Sequence, residues 1–150
     1  MSWQRKSSPH PLYTETNHPR LNILVGSGHI DKAAIVSAAG DSVWAASANF
    51  SPKPEELKTL VRILTAAADE KGDQSAVATA QAEGIYVGGE RYVVARIDGR
   101  SIYARKGREG ICIAKTKQAF IIAHHSEAQV AGNASSTTEA LADYLIKVGY

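Results

Sequence analysis

The sequence predicts an α+β domain, an antiparallel sheet of about seven strands with helices packed on it. Three observations predict this. From Ile85 onward, five short apolar runs follow a period of two and are joined by short connections, the pattern of an antiparallel meander. Upstream, Leu57, Leu60, Val61 and Leu64 recur at helical spacing. Near the C-terminal end, Leu141, Tyr144, Leu145 and Val148 make a second such stripe. With 150 residues, 44% hydrophobic and 21% charged, the chain is long enough and apolar enough for one core.

Residues 5–22 hold three of the five prolines and few apolar side chains, and they read as a loop or disordered linker. Ala33–Ser37 and Ser42–Ser47 form a strand hairpin around the turn Ala39-Gly40-Asp41. Ser51 is placed to cap a helix, with Pro52 in its first turn and Glu55 and Glu56 at the positive end of its dipole. Residues 66–83 are Ala-rich and read as a helical tail followed by a loose loop. The five later strands are Ile85–Val87, Arg91–Ile97, Ser101–Arg105, Ile111–Lys115 and Ala119–His124. Asp98-Gly99 is a hairpin turn, because a type I′ turn needs positive φ at both central residues. Ser136-Thr137-Thr138-Glu139 reads as a capping box opening the last helix, and Gly149 ends it.

Several function classes are excluded or disfavoured. The single Cys112 allows no internal disulfide framework and no cysteine-built zinc site. The longest apolar run, Ala119–Ala123, is too short to span a membrane. The first nine residues hold no apolar stretch for a signal peptide. These features imply a soluble protein of a reducing compartment, the cytosol. Net charge is +2, but residues 91–117 carry +6, which leaves −4 elsewhere. A local basic strip on a near-neutral chain implies one acidic partner surface rather than general nucleic-acid binding, or else a solvated sheet face.

No catalytic constellation appears, and no cofactor is implied. His124-His125 is the obvious metal candidate, but neighbours on a strand point to opposite faces and no further ligand stands at suitable spacing. The pair reads as an edge-of-sheet His pair. Gly26-Ser27-Gly28 lacks the rest of a phosphate loop and reads as a turn. Cys112 reads as a small buried hydrophobe. The aromatics are more informative. Trp3 and Tyr150 lie at the two ends, Trp44 on a strand and Tyr144 on the last helix. Clustered on a surface, such rings suit a polyproline II peptide, which is already ordered and docks at little entropic cost. The simpler reading packs Trp44 and Tyr144 between sheet and helix.

Several segments together resemble the fungal type of profilin. They are Met1-Ser2-Trp3-Gln4, Gly26-Ser27-Gly28-His29-Ile30-Asp31-Lys32-Ala33, Ala39-Gly40-Asp41-Ser42-Val43-Trp44-Ala45 and Pro54-Glu55-Glu56-Leu57. They continue with Gly84-Ile85, Arg96-Ile97-Asp98-Gly99-Arg100-Ser101-Ile102-Tyr103, Thr116-Lys117-Gln118-Ala119 and the ending from Leu141 to Tyr150. The match runs in order across residues 24–64 and 84–150. The resemblance implies one profilin-like domain over residues 1–150, a seven-stranded antiparallel sheet with the N- and C-terminal helices on one face, and no enzymatic activity.

The resemblance also implies partners and sites. The partners are monomeric actin, proline-rich proteins such as formins, and phosphoinositide headgroups, with no nucleic acid, in the cytoplasm and cytoskeleton. The polyproline patch it implies is Trp3, Trp44, Tyr144, Leu145 and Tyr150. The actin face it implies is Arg96, Arg105, Lys115, Val130, Gly132 and Glu139. Arg96 and Arg100 are the implied phosphoinositide-sensitive residues. The alternative is a proline-rich-peptide-binding module of the same fold with weak or no actin binding. Two departures stand out. Residues 5–22 form an atypical insertion in which Pro19 breaks any continuous helix, which implies a displaced Trp3. Extra sequence near Ala66–Ala82 enlarges a surface loop.

Overall fold

The computed structural model describes residues 28–47, 50, 52–68, 74–98, 100–127 and 129–150. The N-terminal segment, with Trp3, the 5–22 insertion and the implied first helix, lies outside the described residues, as do Gly26, Ser27, Ser51 and Gly99.

The sheet has seven antiparallel strands in the order β2-β1-β7-β6-β5-β4-β3. They are β1 (Lys32–Ser37), β2 (Val43–Ala46), β3 (Ile85–Val87), β4 (Glu90–Asp98), β5 (Ser101–Lys106), β6 (Glu109–Lys115) and β7 (Ala119–His125). The meander from β3 to β7 pairs each strand with the next, as its short connections require. β1 then joins β7 (Ile35 opposite Ile121), so the upstream hairpin extends the same sheet. The sheet is interior at β7, which corrects the reading of His124-His125 as an edge pair.

Side chains alternate between the two faces. One face carries Val36, Ile102, Ile111, Ile113, Phe120 and Ile122 and is covered by α1 (Pro54–Ala68) and α2 (Gln74–Glu83). Phe120 and Ile113 are fully buried there beside Leu60, Ile63 and Leu64 of α1. Burying side chains of this size contributes about 2 kcal/mol each, which makes this layer the main source of stability. The other face carries Ala33, Ala114, Ile121 and Ala123 and is covered by α3 (Ala131–Lys147) through Ala134, Leu141, Ala142 and Leu145. The small sheet residues under α3 let the helix approach closely.

Three helix boundaries differ from expectation. α1 starts at Pro54 and not at Ser51. Pro54 takes the first helical position, where its missing N–H costs nothing. The cap comes from inside the helix: Glu56 Oε1 accepts the Lys53 N–H at 2.8 Å. The same carboxylate accepts the Gly88 N–H at 2.7 Å and the Gly89 N–H at 2.9 Å, tying the β3–β4 turn to the start of α1. Residues 74–83 form a helix where a loose loop was expected. Its composition, QSAVATAQAE, is rich in helix formers, but Ala80 is its one buried residue, so it has almost no apolar stripe for periodicity to detect. α3 begins at Ala131, five residues before the expected capping box, and Val130 caps it without a side-chain bond. Thr138 Oγ1 instead donates back to the Ala134 carbonyl at 2.8 Å, and Glu139 turns toward the sheet. Burial of Ala134 and the stronger partners of Glu139 override the local signal. The helix ends as expected. Tyr150 N–H donates to the Leu145 carbonyl and Gly149 N–H to the Ile146 carbonyl, a Schellman pair that places Gly149 at φ 99°.

Candidate functional site

Two candidate surfaces lie on the α3 face of the sheet. The first is an aromatic corner at the β2 edge. β2 places Trp44 on this face, and the Schellman turn delivers Tyr150 to meet it. Their ring centroids are 6.3 Å apart at 75°, an edge-to-face contact over Ile35 and Ala119. Both rings are partly exposed. Tyr144 stands on the outer face of α3, 47% exposed, beside Thr137, Ala140 and Leu141 in an apolar hollow. Leu145, expected as a ligand contact, is fully buried in the core under α3 and supports the corner from below. Of the expected patch, the structure therefore pairs Trp44 with Tyr150, leaves Tyr144 accessible on the same helix, and removes Leu145 from the surface. Trp3 lies outside the described residues.

The second surface lies on β4 and β5, beyond the edge of α3. A bulge between Val94 and Arg96 shifts the register, so Val93 faces Arg105 and Arg96 faces Tyr103 on one side of the sheet. Sequence periodicity could not show this bulge. Arg96 lies over the Tyr103 ring, 4.4 Å from its centroid. Tyr103 OH donates to Glu139 Oε2 at 2.6 Å, and Ser101 Oγ donates to the same oxygen at 2.5 Å. Arg100 grips Glu139 Oε1 through Nε at 3.0 Å and Nη2 at 2.7 Å, and also reaches Asp143 Oδ1 at 2.8 Å. Arg96, Arg100 and Glu139 thus belong to one network that locks α3 to β5. Ser101 and Tyr103 were missed as members, although strand alternation puts Tyr103 and Arg105 on one side. Arg105 is exposed. Lys115 is half-buried with Nζ 3.4 Å from the Thr116 carbonyl, and its pairing with Phe120 places it on the α1 side of the sheet, away from the other expected actin residues. Val130 is 61% exposed at the α3 start, and Gly132, two residues on, opens to free space.

The basic strip is partly neutralised by the fold. Arg100 pairs with Glu139 and Asp143, Lys106 with Glu90, and Arg91 Nε donates to the Glu83 carbonyl at 2.7 Å.

Burial pushes the Glu139 carboxyl up, but bonds from Ser101, Tyr103 and Arg100 outweigh it and hold the group below the usual carboxylate range. Its stabilising contribution is therefore complete above the ordinary carboxylate range and is lost as pH falls through its lower folded value. Glu139→Gln is expected to cost about 2 kcal/mol at neutral pH, since it weakens bonds to a charged acceptor. Thermal melts of both chains from neutral pH into acid check this. A Tm difference that persists undiminished in acid contradicts it.

His124 sits where sequence spacing gave no partner. Its Nδ1 lies 2.6 Å from Asp31 and its Nε2 3.0 Å from Glu109, on opposite sides of the ring. This geometry fixes the ring against Tyr92 and does not converge on one point. Among the described residues, no group of three or more His, Cys, Asp or Glu is arranged to hold a metal ion. Cys112 is buried as expected, and burial with the nearby Glu139 charge pushes its thiol up to about 12. No described helix is long and apolar enough to cross a membrane.

Comparison with known proteins identifies the family of this fold. The profilin family model matches residues 20–150. Profilin of Schizosaccharomyces pombe is 43% identical and that of Saccharomyces cerevisiae 38%, each over all 150 residues and the full length of both chains. The crystal structure of S. pombe profilin superposes with a TM-score of 0.76 at 42% identity, covering 86% of this chain and 94% of that one. A mouse profilin IIa, solved in complex with a double repeat from the FH1 domain of mDia1, shares the fold at a TM-score of 0.66 and 21% identity, covering 87% and 96% of the two chains. An interior seven-stranded sheet, two helical layers and a chain-long match to these relatives leave one conclusion: this chain belongs to the profilin family, whose members are non-enzymatic actin-binding proteins.

Proposed function

We propose that this protein regulates actin polymerisation in the cytoplasm by binding monomeric actin on the β4–β5 surface and proline-rich ligands at the aromatic corner. The observation that carries this reading is the separation of the two surfaces on one sheet face. Trp44 on β2 and Arg96 on β4 are five strands apart, about 24 Å at ordinary strand spacing. α3 lies between them. Two ligands can therefore bind at once, as delivery of actin by a proline-rich partner demands. The actin surface is Arg96, Arg105, Val130 and Gly132, with Val93 and Tyr103 added and Glu139 as its internal brace; Lys115, on the opposite face, is left out of it. The proline surface is Trp44, Tyr150 and Tyr144, with Trp3 as a further member. The mouse complex with a double FH1 repeat supports a proline-rich ligand as the partner of the aromatic corner.

We infer phosphoinositide headgroup binding at the same basic region, centred on Arg96. Arg100 already serves two carboxylates, so a headgroup engaging it must displace Glu139 or Asp143. Lipid and actin would then compete for one network.

Arg96→Glu separates the two ligands. Reversing a charge within an interface is expected to weaken actin binding by about tenfold or more. Affinity for a proline-rich peptide should stay unchanged. Sedimentation or fluorescence titration against actin monomers, beside peptide calorimetry, reads both. Wild-type chain that binds the peptide but not actin would favour the alternative, a proline-binding module of the same fold.

A further inference from the structure

The aromatic corner is held from a third place, the turn between β6 and β7. The Tyr150 main chain is fixed at both its polar groups. Its N–H donates to the Leu145 carbonyl at 2.7 Å, which closes α3. Its carbonyl oxygen is gripped by the turn: the Gln118 N–H donates to it, and the Thr116 hydroxyl lies 2.9 Å away. Gln118 Nε2 also donates to the Gly149 carbonyl at 3.2 Å.

Thr116 is 4% exposed and its hydroxyl is fully used. It accepts the Ala119 N–H at 3.2 Å, which leaves its single proton for an acceptor. The Ala119 carbonyl, at 3.1 Å, already accepts the Thr116 N–H at 2.8 Å, and the Tyr150 carbonyl is the nearer of the two acceptors. Neither Thr116 nor Gln118 belongs to the Trp44–Tyr150 ring pair. Their bonds decide where the Tyr150 backbone sits, and so where its ring meets Trp44.

We propose that the Thr116–Gln118 turn positions the proline-binding corner, with the Thr116 hydroxyl and the Gln118 backbone N–H as the two positioning groups. This rests on the proline-ligand reading given above. A ligand that needs both rings together sees only the fraction of molecules with Tyr150 in place, and its apparent affinity falls with that fraction. Gln118 acts chiefly through its backbone N–H, and its side chain adds an exposed bond to the Gly149 carbonyl. Thr116 acts through its hydroxyl, so serine retains the function and valine, of the same shape, does not.

The test uses the full chain and its Thr116→Val, Thr116→Ser and Gln118→Ala variants. Each is titrated by calorimetry with a proline decamer and with monomeric actin, and its near-ultraviolet circular dichroism is recorded without ligand. Thr116→Val is expected to bind the decamer about fivefold more weakly, the equivalent of one lost hydrogen bond. Its aromatic dichroism should weaken, and its actin affinity should not move. Thr116→Ser should match the parent chain, and Gln118→Ala, which gives up only the exposed Nε2 bond to Gly149, should lose less decamer affinity than Thr116→Val. Unchanged decamer binding in Thr116→Val overturns the proposal, as does an equal loss of actin binding and thermal stability. If the parent chain itself does not bind the decamer, the proline reading fails. The dichroism then decides the positioning role alone: a band lost in Thr116→Val and restored in Thr116→Ser upholds it, and an unchanged band overturns it.

Discussion

Trp44→Ala is expected to abolish useful binding of proline-rich peptides, by about thirtyfold or more, and to leave actin affinity within error of the parent chain. Truncating a central aromatic at an interface typically costs 2 kcal/mol or more, because the ring supplies most of the buried apolar area and excludes water around it. Trp44 is placed for that role by an edge strand whose neighbour, Ala45, is fully buried. The residue cannot shift without disturbing the core. Its ring packs edge-on to Tyr150, so its loss also removes the support that orients Tyr150. The indole N–H adds a donor suited to the free carbonyls of an extended peptide. Calorimetry is the suitable readout, since the substitution removes one of the two tryptophans and so changes the fluorescence signal itself. The same titration of Trp3→Ala measures what the N-terminal segment adds. Retention of parent-like affinity by Trp44→Ala would remove the corner from the proline site.

Gly84→Ala is expected to be the most destabilising single methyl addition in the described fold, at about 3 kcal/mol. Gly84 joins α2 to β3 with φ +85°, a conformation that an alanine adopts only under strain. A Cβ there would stand 2.5 Å from the Tyr92 carbonyl oxygen. That oxygen belongs to backbone in the β3–β4 pairing, where Ile85 faces Tyr92, so no flexible side chain can yield. Relief requires β3 to move from β4 or α2 to lose its last turn, closed by the Gly84 N–H to the Ala80 carbonyl at 2.8 Å. For a chain of this size the loss corresponds to about 10 °C in Tm. Urea unfolding of both chains checks it, and a change below about 1 kcal/mol would show that the junction relaxes freely.

The Glu139 network links the two candidate surfaces through α3. Its carboxylate is the meeting point of four donor groups from Arg100, Ser101 and Tyr103, and it fixes the register of α3 on the sheet. The C-terminal part of α3 carries Tyr144, and Tyr150 follows the helix. A helix braced on β5 at its middle and held by the β6–β7 turn at its C-terminal end sets both candidate surfaces at once.

The meander was legible because each strand alternates and each connection is short, and these two signals leave little choice of pairing partners. α1 and α3 were legible as apolar stripes. α2 was not, because it buries one alanine and a stripe of one residue has no period. The capping box of α3 misled because Thr138 and Glu139 found other partners, from Ala134 and from β5. The basic strip was visible as charge, but its partial neutralisation by Glu139, Asp143 and Glu90 depends on residues far away in the chain.

By itself the sequence determined the α+β class, the strand inventory, the two amphipathic helices and, through resemblance, the family. Those are local properties, fixed by periodicity, turn residues and motif order. Tertiary structure alone decided which of the candidate residues have a surface to offer. Leu145 went inside because α3 turns that side to the sheet, Arg96 came to Tyr103 because a bulge inserted Ala95, and Tyr150 reached Trp44 because two bonds from a distant turn hold its carbonyl. Contacts of that kind form between residues many positions apart, and no local pattern encodes the geometry that joins them.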